Sequence, residues 1–204
     1  MDTSNKVYNL AVLISGNGSN LQSIIDSTKT NTLNNAVIKI VISNKHDAYG
    51  LKRAEENNIK TLFMNPVNYD NDLKYDKEIV NTLIKEKIDL VILAGYLKII
   101  TEPLLKHYNK RILNIHPSLL PKFGGAKMYG INVHKSVIKS KEKYSGCTVH
   151  IVTKDIDCGP ILAQEKVNVL DDDTPETLAK RILNYEHNLY PKTIKQYLCT
   201  LYEE

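Results

Sequence analysis

The sequence predicts a doubly wound α/β fold: a mostly parallel sheet with helices on both faces and an antiparallel C-terminal extension. Three observations point to it. Up to residue 115, short β-rich apolar runs alternate with longer amphipathic stretches; a parallel sheet with right-handed crossovers satisfies that order. The run IDLVILA at 88–94 is continuously hydrophobic, as a strand covered on both faces requires. Beyond residue 115 two strand-like runs are separated only by TKDIDCGP, too little chain for a helical crossover, so they pair antiparallel.

Taken in order, residues 7–14 read as a buried strand, followed by the loop SGNGSN (15–20) and a helix to about residue 29. Residues 36–42 form a second strand, 48–57 a helix and 60–64 a shorter third strand. A helix over 69–87 carries Leu73, Ile79, Val80, Leu83 and Ile84 as its apolar stripe. The strand at 88–94 follows, then a short helix around Leu104 and Leu105, then a strand at 111–115. HPSLLPKFGGAKMYG (116–130) is punctuated by Pro and Gly and predicts a loop. Residues 147–152 and 161–169 are the late strands, and a final helix starts near Pro175, with Thr174 or Asp173 as its N-cap. The whole is Rossmann-like, with no repeat or linker.

A length of 204 residues suits one domain. No apolar run reaches the ~18 residues that a membrane span needs. The start MDTSNKVYNLAVLI places polar residues directly before a strand, with no signal-peptide cleavage site, so a cytoplasmic protein is expected. The net charge of +4 rests on 27 cations of which three are Arg, spread among acids along the chain; that is a solvated surface rather than a nucleic-acid stripe. Lys135, Lys139, Lys141 and Lys143 form one local cluster. Cys147, Cys158 and Cys199 are odd in number and lack C-x-x-C spacing, which indicates a reducing compartment and neither a disulfide framework nor a thiolate metal site.

In SGNGSN, Gly16 and Gly18 permit tight backbone geometry, and free N–H groups at the start of the following helix can face an anion. Gly18, Ser19 and Asn20 are the candidate phosphate contacts. The loop is neither G-x-G-x-x-G nor a P-loop, which disfavours dinucleotides and nucleoside triphosphates. The alternative is that the glycines only turn the chain and Ser19 or Asn20 caps the helix.

Asn114 and His116 project to one side of a strand, with Ile115 on the other, at the carboxyl end where ligands bind in open α/β sheets. An amide and a protonated imidazole side by side suit negative charge growing on a carbonyl oxygen. A nearby carboxylate would hold that histidine protonated and raise its pKa. Asp157 is the best candidate for it and Asp155 the next. The alternative makes Asn114 a turn cap, His116 a core histidine and Asp157 a turn initiator. His46 reads as a helix N-terminal feature; His107, His134 and His187 lack metal-ligand spacing, and no metal site is expected. His150, mid-strand in TVHIV, reads as a buried hydrogen-bonded residue rather than a catalyst. No G-x-S-x-G elbow occurs.

SGNGSN followed by LQ, SNK at 43–45, LAGYLKII at 93–100, NIHPSLLPKF at 114–123, TKDIDCGPILAQ at 153–164 and NYEHNLYP at 184–191 together closely resemble the folate-dependent formyltransferases, and within them the phosphoribosylglycinamide formyltransferases. The resemblance implies transfer of a formyl group from 10-formyltetrahydrofolate to the amine of glycinamide ribonucleotide in purine biosynthesis, by direct attack through a tetrahedral intermediate and without a metal. By analogy Asn114 polarises the formyl oxygen, His116 acts as the acid that stabilises the intermediate, and Asp157 maintains His116 and assists proton transfer. Gly18, Ser19 and Asn20 would hold the phosphate, and Glu186 the sugar or glycinamide end. Leu97, Lys98, Ile99 and Ile100, with Asn114 and the loop Thr153, Lys154, Asp155, Ile156 and Asp157, would hold the folate, using backbone groups as much as side chains.

The same comparison implies one domain over 1–204, with a phosphate-binding half (1–110) and a catalytic and folate-binding half (111–204). Its partners would be the two small molecules, with no nucleic acid or membrane, in a monomer or homodimer. Asp72 followed by Lys74 stands where relatives carry Arg near the folate tail, Lys98 replaces an Arg, and Leu183 occupies a position that is polar in some relatives. In the segment 123–146, Gly124 and Gly125 suggest a mobile flap over the phosphate. Rival activities are 10-formyltetrahydrofolate hydrolysis and formylation of methionyl-tRNA; each goes with an accessory domain for which the length is expected to leave no room. A non-catalytic phosphosugar-binding module would need the glycine loop but not Asn114, His116 and Asp157.

Overall fold

The computed structural model describes residues 6–201. Its parallel strands are β1 (Tyr8–Ile14), β2 (Ala36–Ser43), β3 (Lys60–Phe63), β4 (Leu90–Leu93) and β5 (Ile112–His116). The antiparallel strands are β6 (Tyr144–Ile151) and β7 (Ile161–Asn168). They form one sheet in the order β3-β2-β1-β4-β5-β6-β7. The helices are α1 (Ser19–Thr28), α2 (Tyr49–Glu56), α3 (Asp72–Lys85), α4 (Glu102–His107), α5 (Ile131–Lys139) and α6 (Pro175–Thr200). The chain runs outward from β1 to β3 and then returns to place β4 on the other side of β1. A crevice therefore opens beyond the carboxyl ends of β1 and β4, where the strand order reverses.

Alternation along the strands divides the core in two. In β1, Leu10, Val12 and Ile14 pack with residues of α1, α2, α5 and α6, including Ile24, Ala54, Val137 and Ile182. Ala11 and Leu13 face the opposite way, onto Tyr75, Ile79 and Leu83 of α3 and Leu104 of α4. Helices thus cover both faces, and the central strands are buried throughout.

Two expectations need correction. The stripe of α3 is made by Tyr75, Asp76, Ile79, Val80 and Leu83, whereas Leu73 and Ile84 are exposed. Leu73 lies two residues before Tyr75, about 200° round the helix from it, and Ile84 sits beside Leu83 in the last turn. The second correction concerns 123–146, which is not all loop. Residues 131–139 form α5, which buries Val133, His134 and Val137, and Gly130 turns the chain into it at φ 53°. The next strand begins earlier than predicted, at Tyr144, because Ser145 and Gly146 already pair with Val167 and Lys166.

At the N-terminus of α6, Thr174 is the cap: its hydroxyl accepts from Thr177 N–H, and Thr177 reciprocates. Asp173, the other candidate, binds Arg181 instead. Further along α6 the wholly buried Tyr190 reaches across the sheet end, its hydroxyl 3.1 Å from the Leu93 carbonyl and 3.0 Å from that of Leu113. One hydroxyl thereby ties α6 to the last residue of β4 and to the early part of β5. Replacing Tyr190 by Phe is expected to cost about 1–2 kcal/mol, as a lost buried hydrogen bond with its acceptors stranded; urea unfolding of the two proteins measures it.

Candidate active site

The crevice holds a cavity of about 710 Å³. Its walls come from the segment after β4 (Leu93 to Ile100), the end of β5, the 125–131 loop, the β6–β7 loop and α6. Asn114, His116, His150, Asp157 and Glu186 all line it.

Pairing between β5 and β6 builds the centre. Asn114 stands opposite His150 and His116 opposite Thr148. The Asn114 amide nitrogen lies 3.1 Å from His150 Nε2. Thr148 organises the loop after β5: its hydroxyl donates to the Ser118 carbonyl (2.6 Å) and accepts from Leu120 N–H (3.1 Å). Gln164 on β7 donates to both Thr148 Oγ1 and the Leu120 carbonyl. The loop is thereby folded back so that the Phe123 carbonyl meets His116 Nε2 at 2.8 Å and Gly125 N–H donates to Asp157 Oδ2 at 2.9 Å. Gly124 lies close to both walls: a Cβ there would lie 2.5 Å from Leu120 Cδ2, which would have to move, and 3.2 Å from Asp157 Cβ.

Asp157 adopts φ 55°, a conformation Asp tolerates better than most side chains. Its two oxygens face two imidazoles, Oδ2 at 3.5 Å from His116 Nδ1 and Oδ1 at 3.5 Å from His150 Nε2. In each ring the other nitrogen faces a backbone carbonyl, that of Phe123 for His116 and that of Ile151 for His150. A carbonyl only accepts, so those nitrogens carry the protons. The nitrogens turned toward Asp157 are the basic ones.

Asp157 pulls the His116 pKa upward as expected, but the net shift and the expected protonated state are not as predicted. Burial pushes it below its ordinary value, outweighing the upward pull of Asp157 and of the Phe123 carbonyl, and His150 lowers it further. Asp157 behaves oppositely. Burial alone would raise it, but the His150 ring beside it, the charge that His116 carries once protonated and the Gly125 N–H together hold it below the usual carboxylate range. The centre thus sets an ionised carboxylate against a His116 ring whose burial favours the neutral form, an arrangement that accepts a proton. Asp155, the second candidate, is exposed and lies outside the cavity wall, without contact to His116.

Toward the other end of the cavity the glycine loop leads into α1. Gly18 is the N-cap at φ 74°, and no side chain caps the helix, so neither Ser19 nor Asn20 is used as a cap. The first-turn N–H groups of Ser19 and Asn20 have no acceptor within the helix. The Asn20 side chain turns away from that function and donates to Glu186 Oε2 at 2.6 Å; its Oδ1 is buried without a protein partner. Gly18 and Ser19 lie just beyond the cavity wall, of which Asn20 and Glu186 are part.

Of the remaining predicted contacts, Leu97 and Ile99 are exposed on the cavity rim and Ile100 is buried. Leu97 N–H is held by Ser15 Oγ. Lys98 pairs with Asp72 at 2.6 Å and lies over the Tyr75 ring. Thr153, Lys154 and Ile156 line the opposite wall. Sequence reasoning missed His150, whose only signal was its register opposite Asn114. It also missed His134, buried on α5 in the cavity wall with Nδ1 unpartnered and a pKa pushed down to about 4, by burial first and then by His116.

The formyl transferase family matches residues 8–194, a span that contains the glycine loop, the β5–β6 centre and Glu186. The chain belongs to the formyl transferase family. It is 45% identical over 186 residues to the chloroplastic phosphoribosylglycinamide formyltransferase of Arabidopsis thaliana, covering 91% of this chain and 63% of that protein, so it spans less than two thirds of that relative. Against the phosphoribosylglycinamide formyltransferase of Escherichia coli strain K12 the identity is 40% over 186 residues, with 91% of this chain and 85% of that one covered. The crystal structure of glycinamide ribonucleotide transformylase 1 from Symbiobacterium toebii superposes with a TM-score of 0.88 at 41% identity, over 93% of this chain and 86% of that chain.

Within this formyl transferase the wholly buried Glu186 has its pKa raised to about 6 by burial, against the lowering effect of Asn20. A raised carboxyl pKa gives stability that is full below the unfolded value of about 4.5 and is lost as pH rises through about 6. Glu186→Gln removes that loss. Relative to the parent, the variant is expected to gain about 2 kcal/mol between pH 4.5 and 7; denaturant midpoints at the two pH values check it.

Proposed function

We propose that this chain transfers a formyl group from 10-formyltetrahydrofolate to the amine of glycinamide ribonucleotide. The observation that carries the reading is the gathering of Asn114, His116 and Asp157 in one cavity whose far wall, Asn20 and Glu186, adjoins the glycine loop. A phosphosugar bound at that loop would extend its amine toward the histidine. The donor fits the other end, where the apolar rim of Leu97, Ile99 and Ile156 offers a slot for a flat heteroaromatic ring. Lys98 is engaged by Asp72 there, so backbone groups and apolar surface supply most of the contacts.

The residues divide the chemistry. One N–H of the Asn114 amide serves His150; the second donates to the formyl oxygen as charge develops there. As the amine nitrogen bonds to the formyl carbon, neutral His116 takes the proton that the amine sheds, and Asp157 stabilises the imidazolium. The proton then goes to the nitrogen of the donor as its bond to carbon breaks. One proton moves from amine to leaving nitrogen, and the protein ends unchanged. His116 reaches its acid form during turnover rather than at rest. Gly18, Ser19 and Asn20 hold the phosphate through main-chain N–H groups.

The direct test mixes the purified protein with both substrates and follows formyl transfer, then omits the amine and follows hydrolysis. Transfer without appreciable hydrolysis is expected; hydrolysis at an equal rate without the amine would overturn the assignment. His116→Ala and Asp157→Asn are expected to lower kcat by roughly 10²- to 10⁴-fold with the fold retained. Because proton acceptance needs neutral His116, activity falls as pH drops through its depressed pKa. The acid limb of kcat/KM is therefore expected below pH 6.5, and lower still in Asp157→Asn.

A further inference from the structure

The first turn of α2 docks directly on the glycine loop. Gly50 N–H donates to the Gly16 carbonyl at 3.1 Å, and a Cβ on Gly18 would lie only 2.7 Å from Gly50 Cα. One turn along α2, Arg53 grips Asn17, the residue between Gly16 and Gly18. Its Nε donates to the Asn17 carbonyl at 2.9 Å and one terminal nitrogen to Asn17 Oδ1 at 3.0 Å. The other terminal nitrogen reaches Gln22 Oε1 on α1 at 3.4 Å. The guanidinium lies over the Tyr49 ring, 4.9 Å from its centroid. Among the described residues no carboxylate pairs with it, and, after burial, its charge is the second cause that lowers the pKa of His187, next to Glu186 on α6.

We propose that Arg53 is a positioning residue for the phosphate of the ribonucleotide substrate; this rests on the reading of the glycine loop as the phosphate site. Gly-Asn-Gly is an intrinsically loose segment, and Gly18 must hold a left-handed conformation for the N–H groups of Ser19 and Asn20 to converge. Two parallel bonds from one planar fork fix both the main chain and the side chain of Asn17, so the loop is ordered before the anion arrives. A lysine can place its charge there but cannot make both bonds in fixed geometry. Arg53 therefore acts through Asn17 on binding of one substrate and leaves the formyl-transfer centre alone.

The test follows the amide resonances of Ser19 and Asn20 while glycinamide ribonucleotide is titrated into the parent, Arg53→Ala and Arg53→Lys proteins. KM for both substrates and KM for the dephosphorylated nucleoside are measured alongside. In the parent the two resonances shift on binding; if they do not, the phosphate reading itself fails and the proposal falls with it. In Arg53→Ala the midpoint and the ribonucleotide KM rise by roughly ten- to a hundredfold, the entropic cost of ordering a few loop residues on binding. KM for the folate donor, KM for the nucleoside and kcat at saturation stay within about twofold. Arg53→Lys is expected to be nearly as weak as Arg53→Ala. Parent-like midpoints in Arg53→Ala, full recovery in Arg53→Lys, or an equal loss for nucleotide and nucleoside would each overturn the proposal. Unchanged thermal unfolding of both variants separates positioning from loss of fold.

Discussion

The centre of the molecule depends on β5 having a parallel neighbour on one edge and an antiparallel neighbour on the other. A parallel strand in this position would run its carboxyl end alongside that of β5 and place its own loop next in line. The antiparallel β6 instead brings its final residues back along β5, so that His150 faces Asn114 and Thr148 faces His116. The β6–β7 connection is then short enough to return Asp157 to the same pair of imidazoles. Thr148 and Gln164, from the two antiparallel strands, also hold the loop that supplies the Phe123 carbonyl and the Gly125 N–H. One reversal of strand direction therefore supplies the acceptors and donors that set both tautomers and the ionisation of the carboxylate.

Burial decides the electrostatics. A carboxylate 3.5 Å from an imidazole ordinarily favours its protonated form, yet His116 is so enclosed that desolvation prevails. The carboxylate escapes the same fate because it is less buried than the ring and accepts a main-chain N–H. Charge is thus concentrated on the carboxylate, while burial favours the neutral form of the His116 ring beside it. Glu186, at the other end of the cavity, has no cation to compensate its burial and is held by a single amide. The two acids respond to pH in opposite senses: the stability contributed by Asp157 is lost on acidification, and that contributed by Glu186 is lost as pH rises.

The parallel half was legible because its signals are local. Continuous apolar runs mark strands covered on both faces, and period-2 alternation placed Asn114 and His116 on one side of β5 without any knowledge of the sheet. Asp157 rather than Asp155 lies beside His116, and the reason, a left-handed turn residue aimed inward, is visible only in the backbone. His150 was not legible as part of the site, since its place opposite Asn114 depends on a register between strands 36 residues apart. The raised His116 pKa was inferred from a pair interaction, whereas the sign is set by enclosure from several segments. Helix α5 was hidden by the Pro- and Gly-rich text before it, although Val133 and Val137 at i, i+4 carried the pattern.

Asn20 shows that side-chain type alone does not fix the partner of a polar residue next to a glycine loop. An Asn after a glycine loop reads as a phosphate ligand, and its main-chain N–H stands in the first turn of α1. Its side chain, however, is the partner of Glu186, 166 residues away in sequence. The bond joins the first helix of the chain to the last across the end of the sheet, and Tyr190, one turn further along α6, makes a second tie to β4 and β5. Glu186 and Tyr190 are four residues apart and so lie on one face of α6. That face fixes the distance between the glycine loop and the β5–β6 centre, the two ends of the cavity. The long final helix is therefore part of the cavity's construction as well as a cover for the sheet.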